Sequence, residues 1–559
     1  MIEIFLILIL LIFAVFFSGY IFVTMFLKLK LEYLEIYEVG FFGIIFLVFL
    51  SFILHFFFPL NEITNSLIFF LLFLIFIFKI KNNIKLNYKK DSKYILISLI
   101  LVFIMTLKYN PNEDYGYYHL PYIVNLVSDK VIFGLSNLQP QFGWNSTWLN
   151  FSSMFYLPYF EIRGTQLSNS ILFFFIISMF LRELNSFKNK NNYSFLYILL
   201  LTSYTIIKHS RISEHGFDFP ANIFLLLAIY YFLKMSEEQN LTNIKKYFII
   251  ICCFSLFAFT IKVSTFIAPL LVIFSLILIL KKKIKLDIFK VPLIFCTIFF
   301  AFWITQQFIY TGCMMPYFKI TCMQGLEWHT KDISNMISGL TGSVNKSYNL
   351  YTGDLSPSDY SKNFNWVNTW FQRNKIEILE HISAIILPII ILLILNLKFL
   401  LSNKKNISIL NNHKKFILLT LSFLTIFGLI IWFTKSPVIR FGIPYIFLLF
   451  FLLLIIIIDL VKIEFTKSIN VLIILCLFFN LSKNINRIIK SESETYWPEI
   501  LSVNFLTKEM DGFKINFPDQ KADNPKKKLC WSTPYICSVS QGNNLKFYKK
   551  YTYTFVTSK

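Results

Sequence analysis

STWLNFSSMFYLPYF, residues 146–160, decides how this chain threads. It is apolar enough to be a membrane span. Counted as one, it inverts every loop downstream and moves the lysine-rich loops outside the cell. Read as a helix lying on the exterior membrane face, with Trp148, Tyr156 and Tyr159 at headgroup depth, it leaves the downstream order intact. The lysines around it favour the second reading.

Fourteen apolar runs flank this stretch, near 4–27, 40–58, 66–79, 94–108, 165–181, 193–207, 218–234, 247–261, 264–280, 289–310, 382–399, 415–434, 440–461 and 468–482. Several fall short of the roughly 20 residues a perpendicular helix needs. The 559-residue chain is 56% hydrophobic, above the roughly 45–50% of soluble domains, and its mean hydropathy is +0.62. The expected fold is an all-α integral membrane bundle of about 14 spans. The first run lacks a basic leader and a small-residue cleavage site and continues to Lys28, so it reads as a span rather than a cleaved signal.

The net charge of +22 does not point to nucleic acid, because the basic residues form no single patch. They fall in alternate short loops: Lys79 to Lys93, Arg182 to Lys190, Lys234 to Lys246, Lys281 to Lys290 and Lys404 to Lys415. The positive-inside rule puts that set in the cytoplasm. Loop 109–145, loop 311–381, the tail from 483 and both chain ends then lie outside. The expected layout is three extra spans in 1–93, a core in 94–310, the exterior loop 311–381, spans in 382–482 and a soluble tail in 483–559. In that tail KFYKKYTYTFV (546–556) alternates like a strand. Cys313 with Cys322, and Cys530 with Cys537, are close in sequence and exterior, so two local disulfides are expected. Cys252, Cys253, Cys296 and Cys476 fall in spans and read as packing residues. No P-loop, GxGxxG or zinc-ligand spacing occurs.

The chemistry gathers in loop 109–145, which opens with NEDYGYYHLP (112–121). Lipid-facing backbone cannot hold such a loop inside hydrocarbon, so it lies at a water boundary. Glu113 and Asp114 are expected to precede a short amphipathic helix that starts near Pro121. A helix N-terminus seats a phosphate, and a carboxylate beside it accepts a proton from a sugar hydroxyl. The other reading of Asp114 is a helix cap. Tyr118, His119, Arg211, Glu214, His215, Asp218, Lys262, Lys435 and Arg440 fall at exterior ends of the same bundle and suit an anionic lipid phosphate meeting a polyol.

An acidic first exterior loop followed by many spans resembles the GT-C superfamily of membrane glycosyltransferases. EDYGYYHLP (113–121), GLSNLQPQFGWNSTW (134–148), SPVIRFGIPY (436–445) and CWSTPYIC (530–537) resemble, more narrowly, a poorly characterised bacterial branch related to it. The likeness runs from about residue 94 onward. It implies Asp114 as catalytic base, with Glu113 as neighbour or alternative, and a polyprenyl-phosphate sugar as donor. The acceptor would be a glycan, lipid or protein at the periplasmic face of the bacterial inner membrane. GT-C enzymes differ over metal use, and no ligand cluster in the sequence decides whether a divalent cation is needed. The competing expectations are a surface-polysaccharide polymerase or ligase, and a flippase or transporter of lipid-linked glycan. Few exterior arginines count against the first, and the near absence of mid-span charge against the second.

Overall fold

Hydrocarbon offers no water to the backbone, so each apolar run must close its own hydrogen bonds as a helix. In the computed structural model it does. The structure describes residues 1–80, 88–108, 113–187, 192–209, 212, 215–284, 290–396, 412–461, 467–491, 495–539 and 545–558. The helices are α1 (Ile2–Ile21), α2 (Ile36–His55), α3 (Glu62–Ile80), α4 (Tyr88–Thr106), α5 (Leu120–Ser128), α6 (Thr147–Ser153), α7 (Glu161–Thr165), α8 (Ser168–Ser186), α9 (Tyr193–Lys208) and α10 (Asp218–Glu237). They continue with α11 (Leu241–Ile261), α12 (Ala268–Lys281), α13 (Lys290–Thr311), α14 (Ile333–Gly342), α15 (Pro357–Tyr360), α16 (Val367–Leu395), α17 (Asn412–Lys435), α18 (Ile439–Val461) and α19 (Lys467–Lys490). Among the described residues, twelve helical segments are long and apolar enough to cross a membrane, and α4 and α9 are shorter apolar helices. The protein is a multi-pass, all-α integral membrane protein.

Helices α2, α8, α10 and α11 are the most enclosed, while α3 and α19 turn much of their surface outward. Close packing in a bilayer depends on small residues rather than on expulsion of water. Gly19 of α1 and Gly43 of α2 show it. A Cβ on Gly19 would lie 1.9 Å from the Val39 carbonyl oxygen, and one on Gly43 2.0 Å from that of Val15. At the end of the bundle away from residue 114, Glu183 accepts from Lys234 at 3.0 Å, from Tyr37 at 2.5 Å and from Tyr230 at 2.7 Å. Glu38 accepts there from Lys246 at 3.1 Å and from Tyr231 at 3.0 Å. These bonds tie α2, α8, α10 and α11 together.

Residues 146–160 neither span nor lie on the surface. Within them Thr147–Ser153 form the seven-residue α6, every residue of which is buried, and the rest is turn and coil. Trp148 is fully buried against Phe151 and Phe257 rather than at headgroup depth. The serines fit this setting: Ser146 caps the helix, and the Ser152 hydroxyl lies within bonding distance of the Trp148 carbonyl and of Ser168, so these hydroxyls find partners inside the protein. Pro158 and Tyr159 stand out, Tyr159 at 96% exposed.

The strand expected over 546–556 is a hairpin of β3 (Leu545–Lys550) and β4 (Tyr553–Ser558). Tyr551 and Thr552 both take positive φ, the turn that matches strand twist. A second hairpin joins β1 (Phe505–Met510) to β2 (Phe513–Pro518). The tail packs along the segment after α5. Phe133 donates its backbone N–H to the Thr554 carbonyl of β4 and accepts from the Val556 N–H, both at 2.9 Å, and Asp129 accepts from Thr554 at 2.7 Å and Tyr535 at 3.0 Å. The Cys313–Cys322 and Cys530–Cys537 disulfides are both formed.

Candidate functional site

The site is built where α4 ends. Helical structure resumes at Glu113, seven residues before Leu120, so the carboxylates occupy the first turn of a helix instead of preceding it. Asp114 has helical backbone angles, and Tyr115–His119 form a π-turn that runs into α5. The α-helix proper does begin at Leu120, with Pro121 in its first turn as expected, but the π-turn carries helical structure back past it, and the carbonyls that the missing proline N–H would meet are bonded from outside the helix. Pro121 can close neither an i→i+4 bond to Tyr117 nor an i→i+5 bond to Gly116. The Tyr117 carbonyl accepts from Gln139 Nε2 at 3.2 Å, and the Gly116 carbonyl from the Trp531 backbone N–H at 2.9 Å.

The turn borders a cavity of about 1250 Å³. Asp114, Tyr118, His119, Asp218, Lys262, Lys435 and Arg440 all line it. Lys262, just past α11, donates to Asp218 at the start of α10, and Arg440 Nε lies 3.4 Å from the other Asp218 oxygen. The Lys262 ammonium also sits 3.6 Å from the Phe441 ring centroid. Asp218 is thus held between two cations, and Asp114 lies beside the same group. Burial raises the Asp114 carboxyl above its ordinary range; Arg440 and Lys262 pull it down, and Asp218 and Glu113 push it up. Burial lowers the Lys262 ammonium, with Asp218 opposing.

His119 is buried and its Nδ1 has no partner. Burial, with His215, Lys262 and Arg440 nearby, brings its pKa down to about 3 against the pull of Asp218. It is therefore neutral, a hydrogen-bonding group rather than a cation. His215 does not line the cavity. It is buried, stacks on Tyr115 with ring centroids 5.2 Å apart, and shares a 2.8 Å bond with Thr165. Burial lowers its pKa to about 3 as well. Glu113 is exposed and does not line the cavity. Arg211 and Glu214 lie outside the described residues. Among those described, no group of three or more His, Cys, Asp or Glu is placed to hold a metal ion.

The cavity has a second polar wall that the apolar runs did not reveal. Lys208 of α9 pairs with Glu380 of α16 at 2.6 Å, and Tyr204 bonds His381 at 2.9 Å. Helix α19 continues to Lys490, well past the expected end at 482, and presents Lys483, Asn486, Arg487 and Lys490 to the cavity. Their i, i+3, i+4, i+7 spacing is the sequence signal that would have extended the helix. Arg487 is structural: its guanidinium donates to the Lys108 carbonyl at 2.9 Å and to that of Met105 at 3.2 Å, closing the end of α4.

The arrangement offers a carboxylate suited to accept a proton, two cations beside it, and neutral imidazole and phenol groups. Phe173, Ile431, Trp432 and Ile443, all from spanning helices, form apolar parts of the wall. No curated protein matches the chain, and no solved structure does. A family model does match, over residues 1–447, from α1 into α18. The protein belongs to that family, described as a domain of unknown function (DUF8201).

Proposed function

We propose that the protein is a GT-C-type glycosyltransferase that moves a sugar from a polyprenyl-phosphate carrier to a glycan, lipid or protein acceptor outside the cytoplasm. One observation carries this reading: a carboxyl held above its ordinary range, Asp114, shares a large cavity wall with Lys262 and Arg440. A base works best when its pKa approaches the working pH. In the proposed reaction Asp114 takes the acceptor hydroxyl proton as the oxygen attacks the anomeric carbon. The bond to the carrier oxygen breaks, and the polyprenyl phosphate leaves as an anion. Lys262 and Arg440 outnumber the one carboxylate they share, so positive charge remains to meet that phosphate. The apolar wall suits a lipid chain entering from the bilayer. A lipid carrier also explains an exterior site, because sugar nucleotides are cytoplasmic.

The test is mass spectrometry of surface glycans and lipid-linked sugars from a deletion strain and from strains restored with the wild type or Asp114→Asn. The expected result is loss of one sugar from a glycan, glycolipid or glycoprotein with build-up of its lipid-linked donor, corrected by the wild type alone. A strain whose glycans and carriers are unchanged overturns the reading. Whole lipid-linked glycan accumulating on the cytoplasmic leaflet favours a flippase instead.

A further inference from the structure

CWSTPYIC (530–537) lies beyond the family match, yet it meets the turn that carries Asp114. Trp531 donates its backbone N–H to Gly116 at 2.9 Å, taking the place that Pro121 leaves empty. Its indole ring lies flat against Gly116: a Cβ there would come within 2.3 Å of the ring. The ring also packs edge-on to Tyr115, with centroids 5.6 Å apart. Tyr115, Leu120 and Trp531 form a small core of their own, walled by Ile162, Ile500, Leu501, Val503 and Leu529.

Trp531 is in turn fixed from the tail side. Its indole N–H donates to the Lys526 carbonyl at 2.7 Å. The Cys530–Cys537 disulfide closes the loop, Thr533 bonds back to Cys530 at 2.9 Å, and Asn516 of β2 pairs with Ile536 and with Pro534. Trp531 has φ +47°, a left-handed conformation that a bulky side chain adopts only when its surroundings impose it. These contacts hold the tryptophan in place before it reaches the turn.

We propose that Trp531 is a positioning residue for Asp114, and that the disulfide-closed 530–537 loop is the brace through which the tail holds the reacting carboxylate at the cavity wall. A π-turn that runs into a proline lacks the next backbone bond and has little stability of its own. The brace replaces the missing backbone bond and seals one side of the turn from water. Because Asp114 stands two residues from Gly116, loss of the seal tilts the carboxylate out of line and hydrates it. The proposal rests on the reading of Asp114 as the base, but its structural half does not need that reading.

The test therefore has two arms, both on the full chain in lipid nanodiscs. In the first, hydrogen–deuterium exchange is compared for the wild type, Trp531→Ala, Trp531→Phe and Cys530→Ser/Cys537→Ser. Amides in 113–120 should exchange at least tenfold faster in Trp531→Ala and in the cysteine variant. Trp531→Phe should stay near the wild type, and α10 and α11 should be unchanged throughout. Unchanged exchange in 113–120 overturns the proposal whether or not sugar transfer is ever found, and so does general loosening that includes α10 and α11. The second arm measures transfer. Trp531→Ala should lower kcat more than it raises KM and move the acid limb of the pH profile downward as Asp114 becomes hydrated, with Trp531→Phe restoring both. Gly116→Ala should be severe alone and add little in the Trp531→Ala background, since the two disturb one contact. Faster exchange with an unmoved acid limb and unchanged kcat means that Trp531 braces the turn without positioning the base, which also overturns the proposal.

Discussion

The Nε of Arg440 lies 3.4 Å from Oδ2 of Asp218, while Lys262 binds the other oxygen of the same carboxylate. The two carboxylates of the site are thereby made different. Asp218 is committed to its cations. Asp114 feels the same cations at longer range, and burial dominates it. Separating two carboxylates in this way assigns one to hold charge and the other to exchange a proton.

The pH profile should carry that asymmetry. A base acts deprotonated, so the rate falls as pH drops through the Asp114 pKa. That limb should lie above the ordinary carboxylate range, because burial raises the group. Arg440 pulls the Asp114 pKa down. Arg440→Gln should therefore move the acid limb to higher pH as well as slowing transfer, and Arg440→Lys should move it less. A limb that stays in place, or moves down, in Arg440→Gln would separate Arg440 from Asp114.

Stability should depend on the paired charges at the far end of the bundle. Glu183 and Lys234 are 5% and 17% exposed and 3.0 Å apart. Removing one partner of a buried pair strands the other, at a cost of about 3–5 kcal/mol. Lys234→Met should therefore lower the thermal midpoint in detergent strongly. Adding Glu183→Leu to it should recover part of the loss, since no stranded charge remains. A single variant as stable as the wild type would show that water reaches the pair.

Hydropathy found the helices because the bilayer demands long apolar runs. It misplaced their ends because turns beyond the hydrocarbon need not be apolar. Helix α16 starts at Val367 and α19 ends at Lys490, so each extends past its apolar run with residues that line the cavity. Asp218, Lys262 and Arg440 were legible only as loop charges expected on one face; no local pattern pairs them. His215 read as a loop residue and is buried, since its partners Tyr115 and Thr165 come from distant segments. Trp148 misled for a related reason: the same tryptophan suits a membrane interface or a core, and its packing on Phe151 and Phe257 puts it in the core.

The lysine distribution predicts a sidedness that can be checked directly. Tyr159 is 96% exposed at the Asp114 end, and Lys283 is exposed just past α12. With the basic loops cytoplasmic, an impermeant thiol reagent should label Tyr159→Cys in intact cells. Lys283→Cys should be labelled only after the membrane is opened. The reverse pattern would place the cavity on the cytoplasmic face and remove the reason for a lipid-linked donor.

Asp114→Asn separates chemistry from architecture. Asparagine keeps the size and caps a helix about as well as aspartate, so a purely structural Asp114 would tolerate it. If Asp114 is the proposed base, its loss should cost on the order of 10²–10⁴ in rate. The variant should reach the membrane at the normal level, retain the 113–128 helix by hydrogen exchange, and fail to transfer sugar. Glu113 does not line the cavity and is exposed, so Glu113→Gln should stay within a fewfold of the wild type. The two carboxylates are adjacent in sequence, and only Asp114 borders the cavity. Normal glycan from Asp114→Asn would remove this residue from the mechanism, and a larger loss from Glu113→Gln would mean that the pair is assigned in the wrong order.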